Sequence, residues 1–280
     1  MKAEDWSGRK AALRLQVWDK LESVDAVLFP RPCHGRIPNC VGSAMACRNL
    51  LEVPEMREAS VVKVHPSIGA AALRTALVMA GKTVLVPPYP GADFLYLQLH
   101  RDYFPSRASL EWAGDKREYL KWAKPMKLLD IPPVDVVVVA ACVMAMNGLR
   151  LGKGKGYGEV EWGILTALGA VDPSKTPVFS ICHDLQLVDT LLLSEDLMET
   201  HDLPVDAFAT PTGFFRCKRV VKKPSGIRWD LVDSQLEEDI GALRELRRLG
   251  DAELQQHRDA LASRSAIPKQ KLCQQDCSNF

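Results

Sequence analysis

The sequence predicts an α/β fold, a mostly parallel sheet with helices on both faces, followed by a C-terminal amphipathic helix. Short apolar segments alternate with segments of helical period, which is typical of a parallel sheet covered on both sides. The segment VDVVVVAA (134–141) is apolar at nearly every position, as a central strand buried on both faces should be. After residue 230, apolar residues recur at helical spacing.

The first predicted helix carries a basic face. Ser7 is a suitable N-cap, and the helix is expected to run to about Leu21. Lys10 and Arg14 are four residues apart and therefore face the same way, either toward solvent or toward a ligand. The prolines and the glycine of the next segment, FPRPCHGRIPN (29–39), exclude regular structure there.

Apolar patterning predicts the remaining elements. We expect strands at 61–64, 82–87, 134–141, 177–182 and 205–210, and helices at 70–80 and 159–168. The segment 89–130 has no clean period and is left unassigned.

A capping-box pattern, Ser234 with Glu237, opens the C-terminal helix, whose apolar positions include Leu236, Leu243 and Leu246. This divides the chain into three parts, which are an α/β domain (1–230), a C-terminal helix (231–260) and a flexible tail (261–280).

Composition limits the kinds of partner. The 280 residues carry a net charge of +1, so any attraction for anions must be local, and neither RNA nor a membrane is expected as a partner. The N-terminus has no apolar leader, which favours the cytoplasm, with a plastid form left open. The eight cysteines lack CxxC spacing and are expected to be reduced, with a metal cluster at Cys33, Cys40 and Cys47 beside His34 as the alternative. The oligomeric state is left open.

The most informative motif is RLGKGKGY (150–157), here called the Gly-Lys loop. Its glycines let the backbone turn and expose N–H groups, and its lysines add positive charge. The loop is expected between the carboxyl end of the central strand and the start of a helix, where open α/β sheets bind phosphate. It matches neither GxxxxGK[ST] nor GxGxxG. The alternative is a solvent-exposed glycine turn whose lysines serve solubility.

The Gly-Lys loop resembles the signature of the 5-formyltetrahydrofolate cyclo-ligase family, and it too follows an apolar strand. The resemblance runs from Lys10 and Arg14 to HDLPVD (201–206). With PRPCHGRIPN and CHDLQLVD (182–189), it is closest to a divergent, cyclo-ligase-like branch whose members carry a methenyltetrahydrofolate synthetase domain.

The resemblance implies a fold of the NagB/RpiA/CoA-transferase type and ATP- and Mg²⁺-dependent closure of 5-formyltetrahydrofolate to 5,10-methenyltetrahydrofolate. It implies Glu159 and Asp202 as Mg²⁺ ligands and assigns catalytic roles to Lys153, Lys155 and Tyr157. The residues implied to bind ATP are Lys10, Arg14, Arg150, Gly152, Lys153, Gly154, Lys155, Gly156 and Tyr157.

Two departures from the family pattern bear on the substrate. The usual GYYD reads GYGE here, which places Gly158 and Glu159 where the family has Tyr and Asp. The family also places acids after the strand equivalent to 61–64 to bind the pterin ring, whereas SIGAAALR (67–74) has none. This predicts weak folate binding or another substrate, such as a thiamin-related compound. A further alternative is a binding protein, with RNA contacts through the basic segment 217–223.

Two histidines are further candidates. His183 and Asp184 follow the strand at 177–182, where they form either an acid/base pair facing the cleft or a locally bonded strand end. His34 and Arg36 would close the cleft from the irregular loop.

Overall fold

The computed structural model describes residues 6–265 of the chain. Its strands are β1 (Val61–Val64), β2 (Thr83–Val86), β3 (Tyr96–Leu99), β4 (Lys124–Met126), β5 (Val136–Ala140), β6 (Val143–Met144), β7 (Arg150–Leu151), β8 (Val178–Ile181), β9 (Ala207–Thr210) and β10 (Gly213–Arg216). Its α-helices are α1 (Trp6–Ser23), α2 (Ser43–Leu51), α3 (Pro54–Glu58), α4 (Ala71–Met79), α5 (Arg107–Leu110), α6 (Lys116–Trp122), α7 (Tyr157–Ala167), α8 (Ser234–Asp239), α9 (Ala242–Arg248) and α10 (Asp251–Ser265).

One sheet of eight strands organises the described part of the chain, in the order β10–β9–β8–β5–β1–β2–β3–β4. The five inner strands β9, β8, β5, β1 and β2 run parallel. The outer strands β10, β3 and β4 pair antiparallel. The predicted mostly parallel sheet is confirmed, with β5 near its centre.

Helices cover both faces of this sheet, as predicted. Val137 and Val139 of β5 lie in one apolar cluster with residues of α7, α9 and α10. Val136 and Val138 lie in a second cluster with residues of α2, α3 and α4. This two-sided burial accounts for the unbroken apolar sequence of β5, because alternate side chains point to opposite faces. In the part of the chain that the structure describes, no helix is long and apolar enough to cross a membrane.

The segment 89–130, for which the sequence predicts no element, contains strand β3, the edge strand β4, and two short helices, α5 and α6. Pro125 lies within β4, the outermost strand, where a residue without an N–H group is tolerated. These elements are too short to show a period, and their strands are added to the sheet by the pairing of β3 with β2 and of β4 with β3.

The predicted C-terminal helix is present, but it is divided into α8, α9 and α10. The first break falls at Gly241, where a Cβ atom would lie 2.6 Å from the backbone oxygen of Ala92. Asp233 rather than Ser234 caps α8, since its side chain accepts from the Leu236 N–H. Helix α10 continues to Ser265, beyond the predicted limit, and the rest of the predicted tail lies outside the described residues.

A small hairpin corrects the expected position of the Gly-Lys loop. Strands β6 and β7 pair antiparallel around a turn at Asn147 and Gly148, so the Gly-Lys loop begins with β7 and does not follow the central strand directly. Leu149 and Leu151 of the hairpin pack in a third apolar cluster with Leu13 and Val17 of α1. The hairpin therefore brings the loop next to the basic face of α1.

Candidate functional site

A cleft of about 640 Å³ opens beyond the carboxyl ends of β1, β2 and β5. Its volume is within the usual range for ligand sites. It is lined by parts of α1, the segment 87–95, the Gly-Lys loop, the start of α7, and residues 199–202 and 239–240. The structure therefore brings every predicted ATP-binding residue and both predicted metal ligands to one cleft.

The Gly-Lys loop takes its shape from two left-handed glycines. Gly154 has φ +86° and Gly156 has φ +70°, a region that residues with a Cβ seldom adopt. Gly156 is the N-cap of α7, so the loop leads directly into a helix N-terminus. Lys153 and Lys155 are exposed, and the Lys153 ammonium lies 5.1 Å from the centroid of the Tyr157 ring. This combination of a glycine-rich turn, a helix N-terminus and exposed cations suits a phosphate group.

The side chain of Arg14, on α1, binds the backbone of the Gly-Lys loop. Its Nε donates to the Gly152 backbone oxygen over 2.7 Å. Its guanidinium lies against Gly154, where an added Cβ would be 3.4 Å from Cζ. Burial lowers the pKa of Arg14 from its ordinary value, and the carboxylates of Asp202 and Glu159 act in the opposite direction. Arg14 thus fixes one end of the loop and faces both predicted metal ligands.

We predict that Gly154→Ala weakens binding of Mg-ATP. A Cβ in the left-handed region costs about 1–2 kcal/mol, and here it would lie in van der Waals contact with the Arg14 guanidinium. The matched control is Gly35→Ala, because Gly35 has a similar φ of +70° and open space around it. Calorimetric titration should show weaker binding in the Gly154 variant alone. If both variants lose affinity for Mg-ATP equally, or if neither variant loses affinity, the left-handed turn at Gly154 has no specific role in binding.

Lys10 joins two carboxylates behind the loop. Its buried ammonium donates to Glu199 Oε2 over 3.0 Å and to Asp202 Oδ2 over 2.5 Å. The same Asp202 oxygen accepts from the Glu199 N–H over 2.7 Å. One ligand atom each from Glu199, His201 and Asp202 lies within 4.8 Å of the others. The sequence interpretation missed Glu199 and His201, although His201 opens the quoted motif HDLPVD.

Arg150 is buried and pairs with the other predicted metal ligand. Its Nη2 donates to Glu159 Oε1 over 2.5 Å, and its Nη1 donates to the Ala140 backbone oxygen over 2.9 Å. Arg150 therefore ties β7 to the carboxyl end of β5 and holds the first turn of α7. Each predicted metal ligand thus has one oxygen bonded to a cation, Glu159 to Arg150 and Asp202 to Lys10.

Tyr157 has a partner that the sequence interpretation missed. Its hydroxyl donates to Asp239 Oδ2 over 2.5 Å, from the last residue of α8. Burial, followed by the Asp239 carboxylate, raises the pKa of Tyr157 to about 12. The phenol is therefore protonated at neutral pH. No local pattern links residues 157 and 239, so only the folded chain reveals this contact.

We predict that Asp239→Asn lowers the pKa of Tyr157 from about 12, because the variant removes a negative charge that disfavours the phenolate. Burial, the larger cause, remains, so the fall should be partial. The raised pKa contributes stability that is fully present below pH 10, the ordinary pKa, and is lost as pH rises through about 12. Titration of labelled tyrosine rings by NMR measures the change. An unchanged pKa would contradict the contact.

His183 lies outside the residues that line the cleft. Its Nδ1 accepts from the Leu185 N–H over 3.1 Å, and burial lowers its pKa. Its neighbour Asp184 accepts from Thr210 Oγ1 over 2.6 Å and from Thr212. The expected position in the cleft is therefore wrong, and of the two interpretations the local one agrees with these contacts.

Of the two candidates in the irregular loop 29–39, His34 and Arg36, one lines the cleft. Arg36 lines it, whereas His34 Nε2 lies 2.8 Å from Asp19 Oδ1 on α1. Burial raises the pKa of Cys33 and of Cys40 to about 12 and that of Cys47 to about 11, so these thiols are protonated at neutral pH. Among the described residues, the metal-capable group at this loop is Glu22, Cys33 and His34, without Cys40 or Cys47.

The segment that follows β1, residues 67–74, contains no Asp or Glu that could face the cleft. Residues 68–70 form a 3₁₀ turn, and the Arg74 side chain is buried behind them. Arg74 donates to the backbone oxygens of His65, Ser67 and Gly114, so its charge serves to hold this turn.

Comparison with known proteins decides the family. The sequence model of the 5-formyltetrahydrofolate cyclo-ligase family matches residues 7–211. The chain belongs to this family. The match covers the Gly-Lys loop, Lys10, Arg14, Glu159 and Asp202. The cleft residues 239–240 lie outside the matched part of the chain.

The chain is similar to methenyltetrahydrofolate synthase domain-containing proteins. It is 35% identical over 240 residues to the one from Homo sapiens and 34% identical over 238 residues to the one from Mus musculus, in each case over 85% of this chain. It spans 61% and 63% of the length of these two relatives. The chain is also similar to the solved structure of Aquifex aeolicus 5,10-methenyltetrahydrofolate synthetase, with 19% sequence identity and a TM-score of 0.48. The aligned part covers 79% of this chain and 98% of the Aquifex aeolicus chain.

Proposed function

We propose that the chain is an ATP- and Mg²⁺-dependent ligase of the cyclo-ligase type, acting on 5-formyltetrahydrofolate or a related heterocycle. The observation that carries the proposal is the meeting of three features in one cleft. These are the Gly-Lys loop, the basic face of α1 and the carboxylates at 159 and 202. They suit the phosphates, the charge neutralisation and the metal that phosphoryl transfer needs.

The Gly-Lys loop would bind the polyphosphate. Its backbone amides and the α7 N-terminus favour negative charge, and Lys153 and Lys155 supply cations that can follow the transferred group. Lys10 and Arg14 approach from α1, and the contacts of Arg14 with the loop fix its distance from that helix. Phosphoryl transfer depends mainly on positioning and electrostatics, so this arrangement is sufficient without a protein nucleophile.

The donor set fits a magnesium ion. Glu159, Glu199 and Asp202 line the cleft and offer carboxylate oxygens, the ligands that Mg²⁺ prefers. When bound, the ion would neutralise phosphate charge. Lys10 and Arg150 hold one oxygen each of Asp202 and Glu159, which orients both carboxylates toward the cleft.

The reaction that the family resemblance implies needs a phosphorylated formyl oxygen, attack of N10 on the activated carbon and departure of phosphate. This chain would contribute cations near the oxygen that gains charge. It would also contribute the Tyr157 hydroxyl, whose single proton is donated to Asp239, so that its oxygen can accept a hydrogen bond from the substrate. The contacts of His183 give no support for a role in this step.

A second candidate keeps the ATP site and changes the other substrate. The segment 67–74 has no acid, and the Arg74 side chain behind it donates to the backbone oxygens of His65, Ser67 and Gly114. A pterin ring would thus lack a carboxylate partner from this segment, at a cost of about 1–3 kcal/mol for each unsatisfied donor. An aminopyrimidine of the thiamin type is the alternative heterocycle. RNA remains unexpected, because Arg219 and Lys223 of the basic segment pair with Asp206.

One assay tests this proposal. Purified chain is mixed with ATP, Mg²⁺ and 5-formyltetrahydrofolate, and the absorbance of the methenyl product is followed. ATP-dependent product formation is expected if the folate is the substrate. ATP hydrolysis that is stimulated by an aminopyrimidine and not by the folate would favour the second candidate, and the absence of Mg-ATP binding would reject both.

A further inference from the structure

The C-terminal part of the chain supplies part of the cleft wall. We call residues 236–244, which join α8 to α9, the bridging segment. Two of its residues, Asp239 and Ile240, line the cleft. The family match ends at residue 211, so this part of the wall lies outside the pattern that defines the family.

The backbone of the bridging segment is fixed against the segment 87–95. The Gly91 N–H donates to the Asp239 backbone oxygen over 3.0 Å, and Ala92 forms a parallel bridge with Ile240. At Gly241 the two backbones approach so closely that an added Cβ would lie 2.6 Å from the Ala92 oxygen. The next helix, α9, is buried in the first apolar cluster. The position of Asp239 is therefore set by the fold and not by α8 alone.

The side chains of the bridging segment and α8 contact the Gly-Lys loop. Asp239 Oδ2 accepts from the Tyr157 hydroxyl, and Oδ1 accepts from Gln235 Nε2 over 3.1 Å. Both carboxylate oxygens are thus engaged, which fixes the orientation of the carboxylate. Leu236 lies beside Gly156, the N-cap of α7, where an added Cβ would be 4.0 Å from Leu236 Cδ2. Asp239 therefore links the segment 87–95 to the loop.

Tyr157 carries this link to a cation of the loop. The Lys153 ammonium lies 5.1 Å from the centroid of the Tyr157 ring, within the range of a cation–π contact. An exposed lysine loses rotamer freedom when it binds a ligand, and a fixed aromatic face reduces that loss because it holds the ammonium in advance. Asp239, Tyr157 and Lys153 thus form a chain of contacts that ends at a cation of the Gly-Lys loop.

Asp239 has the wrong charge to bind a phosphate itself. By Coulomb's law alone, a carboxylate near the loop disfavours a polyphosphate, and its removal should strengthen binding. If Asp239 supports nucleotide binding, it must do so through Tyr157. The direction of the effect of a substitution therefore distinguishes a positioning role from a purely electrostatic one.

We propose that Asp239 is a positioning residue of the nucleotide site, which holds the Tyr157 ring against the Lys153 ammonium and so orients this cation toward the phosphates. The bridging segment is then a functional part of the site as well as a packing element. This inference rests on the proposed function in one respect, that the cleft binds Mg-ATP.

Calorimetric titration of Mg-ATP into the full chain tests the inference. We expect Asp239→Ala to bind about three- to tenfold more weakly than wild type, and Tyr157→Phe, which keeps the ring without its hydroxyl, to lose a similar factor. The double variant should bind no more weakly than either single variant, because both substitutions break the same contact. Asp239→Asn keeps an acceptor oxygen for Tyr157 and removes the charge, so it should bind at least as tightly as wild type.

The matched control is Glu238→Ala, because Glu238 is an exposed carboxylate on the same helix and does not line the cleft. Its affinity should stay within about twofold of wild type, since exposed charges are screened by salt. Circular dichroism gives the Tm of each variant and a temperature at which all are folded.

Four results would overturn the inference in a wild type that binds Mg-ATP. They are an Asp239→Ala affinity equal to or above that of wild type, an Asp239→Asn affinity as low as that of Asp239→Ala, losses that add in the double variant, and an equal loss in Glu238→Ala. A lower Tm of Asp239→Ala with unchanged affinity would assign Asp239 a purely structural role. Absence of Mg-ATP binding by the wild type is a distinct result, because it rejects the proposed function and this inference with it.

Discussion

Lys63→Met should destabilise the protein by about 3–5 kcal/mol, the largest effect on stability that we expect from a single substitution in the cleft. The side chains of Lys63 and Glu161 are only 2% and 9% exposed, and they form a salt bridge. Removing the ammonium leaves the Glu161 carboxylate largely buried without its cation. Urea unfolding measures the change.

Two comparisons make this result specific to a buried pair. The double variant Lys63→Met with Glu161→Met removes both charges and should recover most of the lost stability. Lys121→Met is the matched control, because Lys121 is 59% exposed in its pair with Glu118 and such pairs contribute about 0–1 kcal/mol. If Lys63→Met lowers the free energy of unfolding by less than about 1 kcal/mol, the Lys63–Glu161 pair does not stabilise the fold in the way expected.

Lys10→Met should weaken Mg-ATP binding by about 10- to 100-fold. A hydrogen bond between charged groups contributes about 1.5–3 kcal/mol, and the Lys10 ammonium is held at the cleft by Glu199 and Asp202. In the proposed site this cation faces the phosphates from α1. Calorimetric titration of Mg-ATP measures the affinity, at a temperature where circular dichroism shows the variant to be folded.

The control for this prediction lies on the same helix. Lys20 is exposed and does not line the cleft, so Lys20→Met should bind Mg-ATP as the wild type does. The Lys20 variant also tests whether the net charge of the chain matters. If Lys10→Met keeps an affinity within twofold of wild type, Lys10 serves only to pair the two carboxylates.

Sequence reasoning succeeded where the signal is local. The apolar residues 136–139 identified the central strand, because burial on both faces leaves no polar position. The spacing of Lys10 and Arg14 placed both on one helical face, and both line the cleft. The glycines of the Gly-Lys loop predicted a backbone that turns there, and Gly154 and Gly156 have positive φ in the structure. In each case the physical cause lies within a few residues.

It failed where the cause is tertiary. The pairing of Tyr157 with Asp239 joins residues 82 positions apart and has no local pattern. The position of His183 at a strand end predicted the correct edge of the sheet but not whether its ring enters the cleft. The short strands between 89 and 130 are defined by pairing with distant partners, β3 with β2 and β4 with β3. The hairpin at Asn147 and Gly148 is different, since an Asn-Gly pair between apolar residues is a readable signal that was overlooked.

The central claim is that the Gly-Lys loop binds the triphosphate of a nucleotide, and one titration tests it most directly. Mg-ATP is titrated into the wild type, into Lys153→Ala with Lys155→Ala, and into Lys20→Ala with Lys175→Ala, a control with two exposed lysines outside the cleft. We predict binding by the wild type and the control, and an affinity at least about tenfold lower in the loop variant. No binding by the wild type at millimolar Mg-ATP, or equal affinity in all three proteins, would contradict the claim.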